Sequence, residues 1–274
     1  MEGLAVHGLH VAFGDREVLR GVELTVEMGS FVGLVGESGS GKSLTALTTL
    51  GLLPRGARVV GGSIFLDDEE IVGPGRDGTA DVRGSGIAMI FQSPLAALNP
   101  LMRVGRQLER VLRRKGRTGK VEQRCIELFG AVGFQDPEQV VRLYPHELSG
   151  GMCQRVMIAM GIASEPRVLL ADEPTSSLDV TVQADILDLL EELKARTGMG
   201  MLLISHDLSV VAERCSSISV MWQGSVVESG PTSDVLGSPR HPFTRQLVRD
   251  LSDESLAAQA THSDVTIVLN EASS

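Results

Sequence analysis

Phe31-Val32-Gly33-Leu34-Val35-Gly36-Glu37-Ser38-Gly39-Ser40-Gly41-Lys42-Ser43 is the stretch that decides the fold of this chain. Its first five residues carry no charge and read as a buried strand, and Leu44 to Leu53, closed by Pro54, reads as a helix. Between them, Gly36 to Ser43 is a complete GxxxxGK[ST] loop in the strand-to-helix setting the motif requires. Its glycines let backbone N–H groups turn inward around a phosphate without Cβ clashes, and the next helix offers its positive end. Lys42 can then reach the β- and γ-phosphates, and the Ser43 hydroxyl can ligate Mg2+. The blander reading is a glycine-rich turn before a helix. Lysine is scarce in this sequence, so composition alone seldom yields the full pattern.

A second motif lies downstream, Val168-Leu169-Leu170-Ala171-Asp172-Glu173-Pro174. Its apolar residues make a buried parallel strand, and ligands of such sheets sit beyond the carboxyl ends of the strands, where Asp172 and Glu173 emerge. Successive strand residues point opposite ways, so the two acids divide the work. Asp172 serves Mg2+ through a water, and Glu173 polarises the attacking water as general base. Without the loop at 36–43, two solvated acids at a strand end would be an equal reading.

Outside these motifs the chain reads as an α/β protein with an insertion. Residues 4–13 and 17–27 are expected strands around Gly14-Asp15, with Val22, Leu24 and Val26 alternating against Glu23, Thr25 and Glu27. Residues 57–91 have strand and turn character, with 67–70 and 73–78 as loops, and 93–163 turns helical. Strands at 167–171 and 201–205 then alternate with helices at 180–195 and 208–214, the pattern of a parallel sheet with crossover helices. The tail is rich in Ser, Ala, Asp and Glu and reads either as mobile or, at Val265-Thr266-Ile267-Val268-Leu269, as one more strand.

Bulk composition narrows the class. At 274 residues and 42% hydrophobic the chain can bury one large core or two modest ones. No segment approaches the ~18 uninterrupted apolar residues of a membrane helix, and no secretory leader opens the sequence, so a cytoplasmic location is expected, with membrane contact only through a partner. Cys125, Cys153 and Cys215 are widely spaced and odd in number, which supports neither a disulfide framework nor a zinc site. A net charge of −10 argues against nucleic acid as a partner. Arg103, Arg106, Arg110, Arg113, Arg114, Lys115, Arg117 and Lys120 crowd one segment, with Val104, Leu108, Val111 and Leu112 between them. A solvated amphipathic helix and a charged docking face both fit that pattern.

The ordered set of loop 36–43, Phe91-Gln92, Leu148-Ser149-Gly150-Gly151-Met152, Asp172-Glu173, Ser177-Leu178-Asp179 and Ser205-His206-Asp207 resembles the nucleotide-binding subunit of an ABC transporter over roughly residues 4–250. The resemblance implies a P-loop NTPase with a RecA-like core (about 1–92 and 156–235), an N-terminal antiparallel β-region, an inserted helical subdomain (about 93–155) and an extension at 236–274. It implies ATP and Mg2+ as cofactors. Phe13 would stack on adenine, and Gly36, Glu37, Ser38, Gly39, Ser40, Gly41, Lys42 and Ser43 would cradle the phosphates. Ser43, Gln92 and Asp172 would serve the metal, while Glu173, His206 and Gln92 would act in catalysis. Ser149, Gly150, Gly151 and Gln154 would close on ATP held by a second ATPase subunit, a paralogue or an identical chain, and Asp179 would organise that interface. The signature has the physics of an anion site, with a hydroxyl and exposed N–H groups at a helix start. Two permease subunits and, through them, a substrate-binding protein complete the implied assembly at the cytoplasmic face of the inner membrane.

Finer runs point to the peptide/nickel importer group of this family: Phe91-Gln92-Ser93-Pro94, Leu98-Asn99-Pro100, Tyr144-Pro145-His146-Glu147 and Pro239-Arg240-His241-Pro242-Phe243-Thr244. The helix start at 41–45 and the run Val156–Met160 also look like the member that energises nickel uptake. Cys153 departs from the group where Arg is frequent, and Ser177 where Ala is. The alternative is a soluble ABC ATPase serving another machine, such as the carbon–phosphorus lyase accessory subunits; region 92–147, which must receive a permease, separates the two. A DNA-handling ATPase fits worse, given the acidic balance and the lack of a long coiled coil.

Overall fold

The computed structural model describes residues 2–73, 75–114 and 119–252. The basic residues Lys115 and Arg117 and the tail run Val265–Leu269 lie outside them. In chain order the elements are β1 (Gly3–Phe13), β2 (Arg16–Glu27), β3 (Phe31–Val35), α1 (Lys42–Thr49), β4 (Ala57–Leu66), β5 (Glu69–Gly73), β6 (Arg76–Asp77), α2 (Thr79–Val82) and β7 (Ile87–Ile90). Helices α3 (Pro94–Ala97), α4 (Val104–Arg114), α5 (Val121–Ala131) and α6 (Pro137–Val140), a 3-10 turn (Pro145–Glu147) and α7 (Gly150–Ile162) follow. The chain then runs through β8 (Val168–Asp172), α8 (Val180–Thr197), β9 (Gly200–Ser205), α9 (Leu208–Arg214), β10 (Ser217–Trp222), β11 (Ser225–Pro231) and α10 (Thr232–Gly237). Residues 242–252 are helical.

Two sheets organise these elements. The N-terminal sheet has the order β2-β1-β4-β5-β6 and is antiparallel throughout. The central sheet has the order β11-β10-β3-β9-β8-β7, parallel except for the hairpin of β10 and β11. β3, β8 and β9 are buried on both faces, which is why their sequences are continuously apolar. Their side chains alternate between two cores. Val32, Leu34, Leu170, Leu202 and Ile204 join the core shared with the N-terminal sheet, whereas Val35, Leu169, Ala171 and Leu203 join the helical side. On β2 the expected alternation holds, with Val22, Leu24 and Val26 inward.

The structure departs from the sequence reading at identifiable turns. The first helix stops at Thr49, short of Leu53, because Gly51 adopts φ 60° and the Leu52 N–H returns to the Leu47 carbonyl at 2.9 Å. Residues 67–70 are only half a loop. Asp67-Asp68 form a two-residue turn between paired Leu66 and Glu69, so Glu69 and Glu70 belong to β5. Within 73–78, Arg76-Asp77 pair with β5. On α4, Val104, Leu108 and Leu112 are buried while Arg106, Arg110, Arg113 and Arg114 are exposed, an amphipathic helix with its basic face outward.

α9 presses on β3 at Gly33, where an added Cβ would sit 2.0 Å from Val211 Cγ1. Gly33 lies in ordinary strand conformation, so the objection to a side chain there is purely steric. Gly33→Ala is expected to cost about 1–3 kcal/mol by overpacking; a urea unfolding midpoint equal to that of the parent would refute the account. All three cysteines are buried and free. Burial, helped by Glu109 and Glu122, pushes the Cys125 thiol up to about 12, and burial does the same for Cys215. At pH 8 the thiolate fraction of each is on the order of one in ten thousand. A disulfide reagent should therefore titrate neither thiol in the native chain and both in denaturant.

Candidate active site

The site forms where the carboxyl ends of β3, β8 and β9 lie side by side. Val35 pairs with Ser205, and Asp172 with Ile204, so loop 36–43, Asp172-Glu173 and Ser205-His206 emerge at one edge. In the loop, Gly36 has φ 153° and an added Cβ there would lie 2.0 Å from the Met221 carbonyl oxygen; Gly41, the N-cap of α1, has φ 112°. Only glycine tolerates such positions. The loop is pinned from behind by the Gly224 N–H, which donates to the Ser40 carbonyl at 2.9 Å, so the β10–β11 turn braces it.

A cavity of about 870 Å³ opens in front of this loop. Phe13, Ser38, Gly39, Gly41, Lys42, Ser43, Gln92, Glu173 and His206 all line it, so sequence-expected groups some 190 residues apart share one wall. Val18, Leu44, Ser93, Ser176 and Ser177 line it as well. Val18 stands at the irregularity of the β1–β2 hairpin, between Glu17, which pairs with Ala12, and Leu19, which pairs with Val11. Phe13, at the end of β1, keeps 37% of its surface exposed, unusual for a large aromatic and suited to stacking.

Lys42 is 5% exposed and donates to the Gly36 and Glu37 carbonyls at 2.6 and 3.0 Å. Burial lowers its pKa, while the nearby Glu173 and Asp172 carboxylates act to keep it charged. The Ser43 hydroxyl donates to Asp172 Oδ1 at 3.0 Å. Burial raises the Asp172 pKa, against the stabilising hydroxyl of Ser43. Glu173 sits between two partners: Gln92 Nε2 donates to its Oε2 at 2.8 Å, and His206 Nδ1 lies 3.1 Å from its Oε1. Its backbone is left-handed, φ 45°, and its N–H donates to the Ile204 carbonyl at 2.9 Å. A non-glycine residue held there is strained by about 1–2 kcal/mol.

The signature lies elsewhere. Ser149 caps α7, its hydroxyl accepting from the Met152 N–H at 3.3 Å, and both Ser149 and Gly150 are exposed. Neither they nor Gly151 line the cavity. Gly150 and Gly151 instead pack on Leu178 and Val182, at the start of α8, where Asp179 caps the helix by accepting from the Val182 N–H at 3.0 Å. Gln154 does not join this surface. Its side chain is 1% exposed and points into the protein, which corrects its assignment as a nucleotide ligand. Cys153 is also buried and donates to the Pro145 carbonyl at 3.5 Å, so its effect is on packing against the 3-10 turn and not on surface charge.

The sequence profile of the ABC transporter family matches residues 19–176, more than half of the chain. The chain belongs to the ABC transporter family. It is 45% identical over 230 residues to the oligopeptide transport ATP-binding protein OppD of Lactococcus lactis subsp. cremoris, covering 83% of this chain and 68% of the relative. To the dipeptide transport ATP-binding protein DppD of Escherichia coli it is 43% identical over 256 residues, 91% of this chain and 78% of the relative. Its fold matches the ATP-binding cassette MJ0796, solved as a dimer in a post-hydrolysis state bound to ADP and Pi, with a TM-score of 0.71 at 27% identity over 84% of this chain and 98% of that one. This ABC transporter subunit thus has the ABC ATPase fold, and it binds and hydrolyses ATP. Neither relative is named for nickel.

The strain at Glu173 gives a stability test independent of turnover. Glu173→Gly should leave stability level or raise it by up to about 1 kcal/mol, whereas Glu192→Gly, inside α8, should cost about 1 kcal/mol. Equal losses in chemical denaturation would remove the case for strain.

Proposed function

We propose that this chain is the ATPase subunit of a peptide importer, working with a second ATP-binding subunit on the cytoplasmic face of a membrane, beneath two permease subunits fed by a substrate-binding protein. The observation that carries the reading is the meeting of Gln92, Glu173 and His206 at the mouth of loop 36–43, in a chain whose relatives are named for peptide transport. Among the described residues no helix is long and apolar enough to cross a membrane, so the membrane is reached through partners. Region 92–147, within and just before the helical stretch, is the part that would receive the permease. A soluble accessory ATPase is the weaker reading, since both relatives are transport proteins by name.

In this mechanism the adenine stacks on Phe13 and the phosphates lie across loop 36–43, with Lys42 against the β- and γ-phosphates. Ser149 and the N–H groups at the head of α7 close on ATP held by the other subunit, because they lie outside this chain's own cavity. The Ser43 hydroxyl and, through a water, the Asp172 carboxylate, 3.0 Å apart, would hold Mg2+ as hard oxygen donors, with Gln92 as a third. When bound, Mg2+ neutralises phosphate charge. Glu173 accepts a proton from water as its oxygen bonds the γ-phosphorus and the bond from that phosphorus to the β–γ bridging oxygen breaks, with ADP and phosphate as the products; His206 orients the carboxylate through Nδ1, and Asp179 holds the α8 end of the interface.

Glu173→Gln should lower kcat about a thousandfold while ATP binding persists. Lys42→Ala should instead weaken ATP binding about 10- to 100-fold, as loss of a charge-assisted phosphate contact predicts. ATPase kinetics together with nucleotide titration read both. Parent-like turnover in Glu173→Gln would overturn the general-base assignment.

A further inference from the structure

Two helices carry the groups that must act together. α8 is capped by Asp179, beside the signature, and α9 is capped by Asp207, directly after His206. Asp207 caps α9 by accepting from the Ser209 N–H at 2.8 Å, so the position of α9 sets that of His206. The signature is seated on α8 just as tightly. A Cβ at Gly151 would lie 2.6 Å from Val182 Cγ1, and Arg155 Nη2 lies 3.9 Å from Asp185 Oδ2.

Arg214, in the last turn of α9, joins the two helices. Its guanidinium bonds Asp188 and lies 3.3 Å from Glu191 Oε2, both on α8, and 3.4 Å from Glu213 Oε1 on its own helix. Asp188 and Glu191 are well exposed, and isolated surface pairs of that kind contribute little. Arg214 differs in being only 16% exposed and in meeting three carboxylates with a planar fork of donors. Its pKa is raised, chiefly by the Asp188 hydrogen bond. We propose that Arg214 is a positioning residue that makes α8 and α9 one rigid unit, so that seating of the signature on the other subunit's nucleotide fixes His206 against Glu173. The inference rests on the catalytic reading given above. It assigns Arg214 no contact with nucleotide.

The test compares Arg214→Ala with Asp188→Asn/Glu191→Gln, which keeps the arginine and the side-chain shapes but removes the two α8 charges that meet it. Full chains are assayed in the assembly that hydrolyses ATP, for kcat and for KM, with thermal unfolding measured in parallel. Both variants should lose about five- to tenfold in kcat with KM for ATP within twofold of the parent. Combining them should lose no more than Arg214→Ala alone, since both break one interaction. A folded variant pair with parent kcat would overturn the proposal, as would additive losses or a fall in kcat that tracks the fraction unfolded. Failure of the catalytic reading shows separately, as turnover that survives Glu173→Gln.

Discussion

The parallel registration of β3, β8 and β9 is the constraint on which the rest depends. Each strand contributes one chemical end: the phosphate loop from β3, the acid pair from β8 and His206 from β9. A slip of one residue in any of these pairings would exchange its two buried faces and also withdraw a group that lines the cavity by about 3.3 Å. The register is fixed because alternate residues belong to different cores, one against the N-terminal sheet and one against the helices. Packing far from the nucleotide therefore sets distances of 2.8 and 3.1 Å around Glu173.

Much of this was legible in the sequence, for a physical reason. A glycine-rich loop between a buried strand and a helix, and an acid pair at the end of an apolar strand, show in residue type alone, and Gly36–Ser43 and Asp172-Glu173 stand at those places in the fold. What stayed hidden were features set by a single φ angle or by tertiary neighbours. Gly51 ended α1 before Pro54 could, and the hairpin of β10 and β11 turned on Gln223-Gly224, both at positive φ, which the sequence reading left unmarked. Val18 stands at a register irregularity of the β1–β2 hairpin, which periodicity alone cannot report.

The signature region shows the same division. Ser149 and Gly150 could be read from residue type, because a capping hydroxyl and bare N–H groups are local properties. Gln154 and Cys153 could not. One full turn further along α7 from Gly150, both side chains are buried against the protein. The departure from Arg to Cys at 153 thus falls on a packed face, where a guanidinium would have to displace its neighbours or find a route outward.

Past β11 the chain is held by a small latch. Glu228 accepts the backbone N–H groups of Arg240 and His241 at 2.8 and 3.0 Å, and although burial alone would raise its pKa, these bonds draw it below the usual carboxylate range. Trp222 lies 5.6 Å from the His241 ring and 6.1 Å from that of Phe243. Trp222 is the single tryptophan of the sequence and stands one residue from the turn that braces the phosphate loop. The chain therefore carries its own fluorophore at the junction of the nucleotide site and the C-terminal segment, where emission reports on the His-Pro-Phe-Thr segment without any added label.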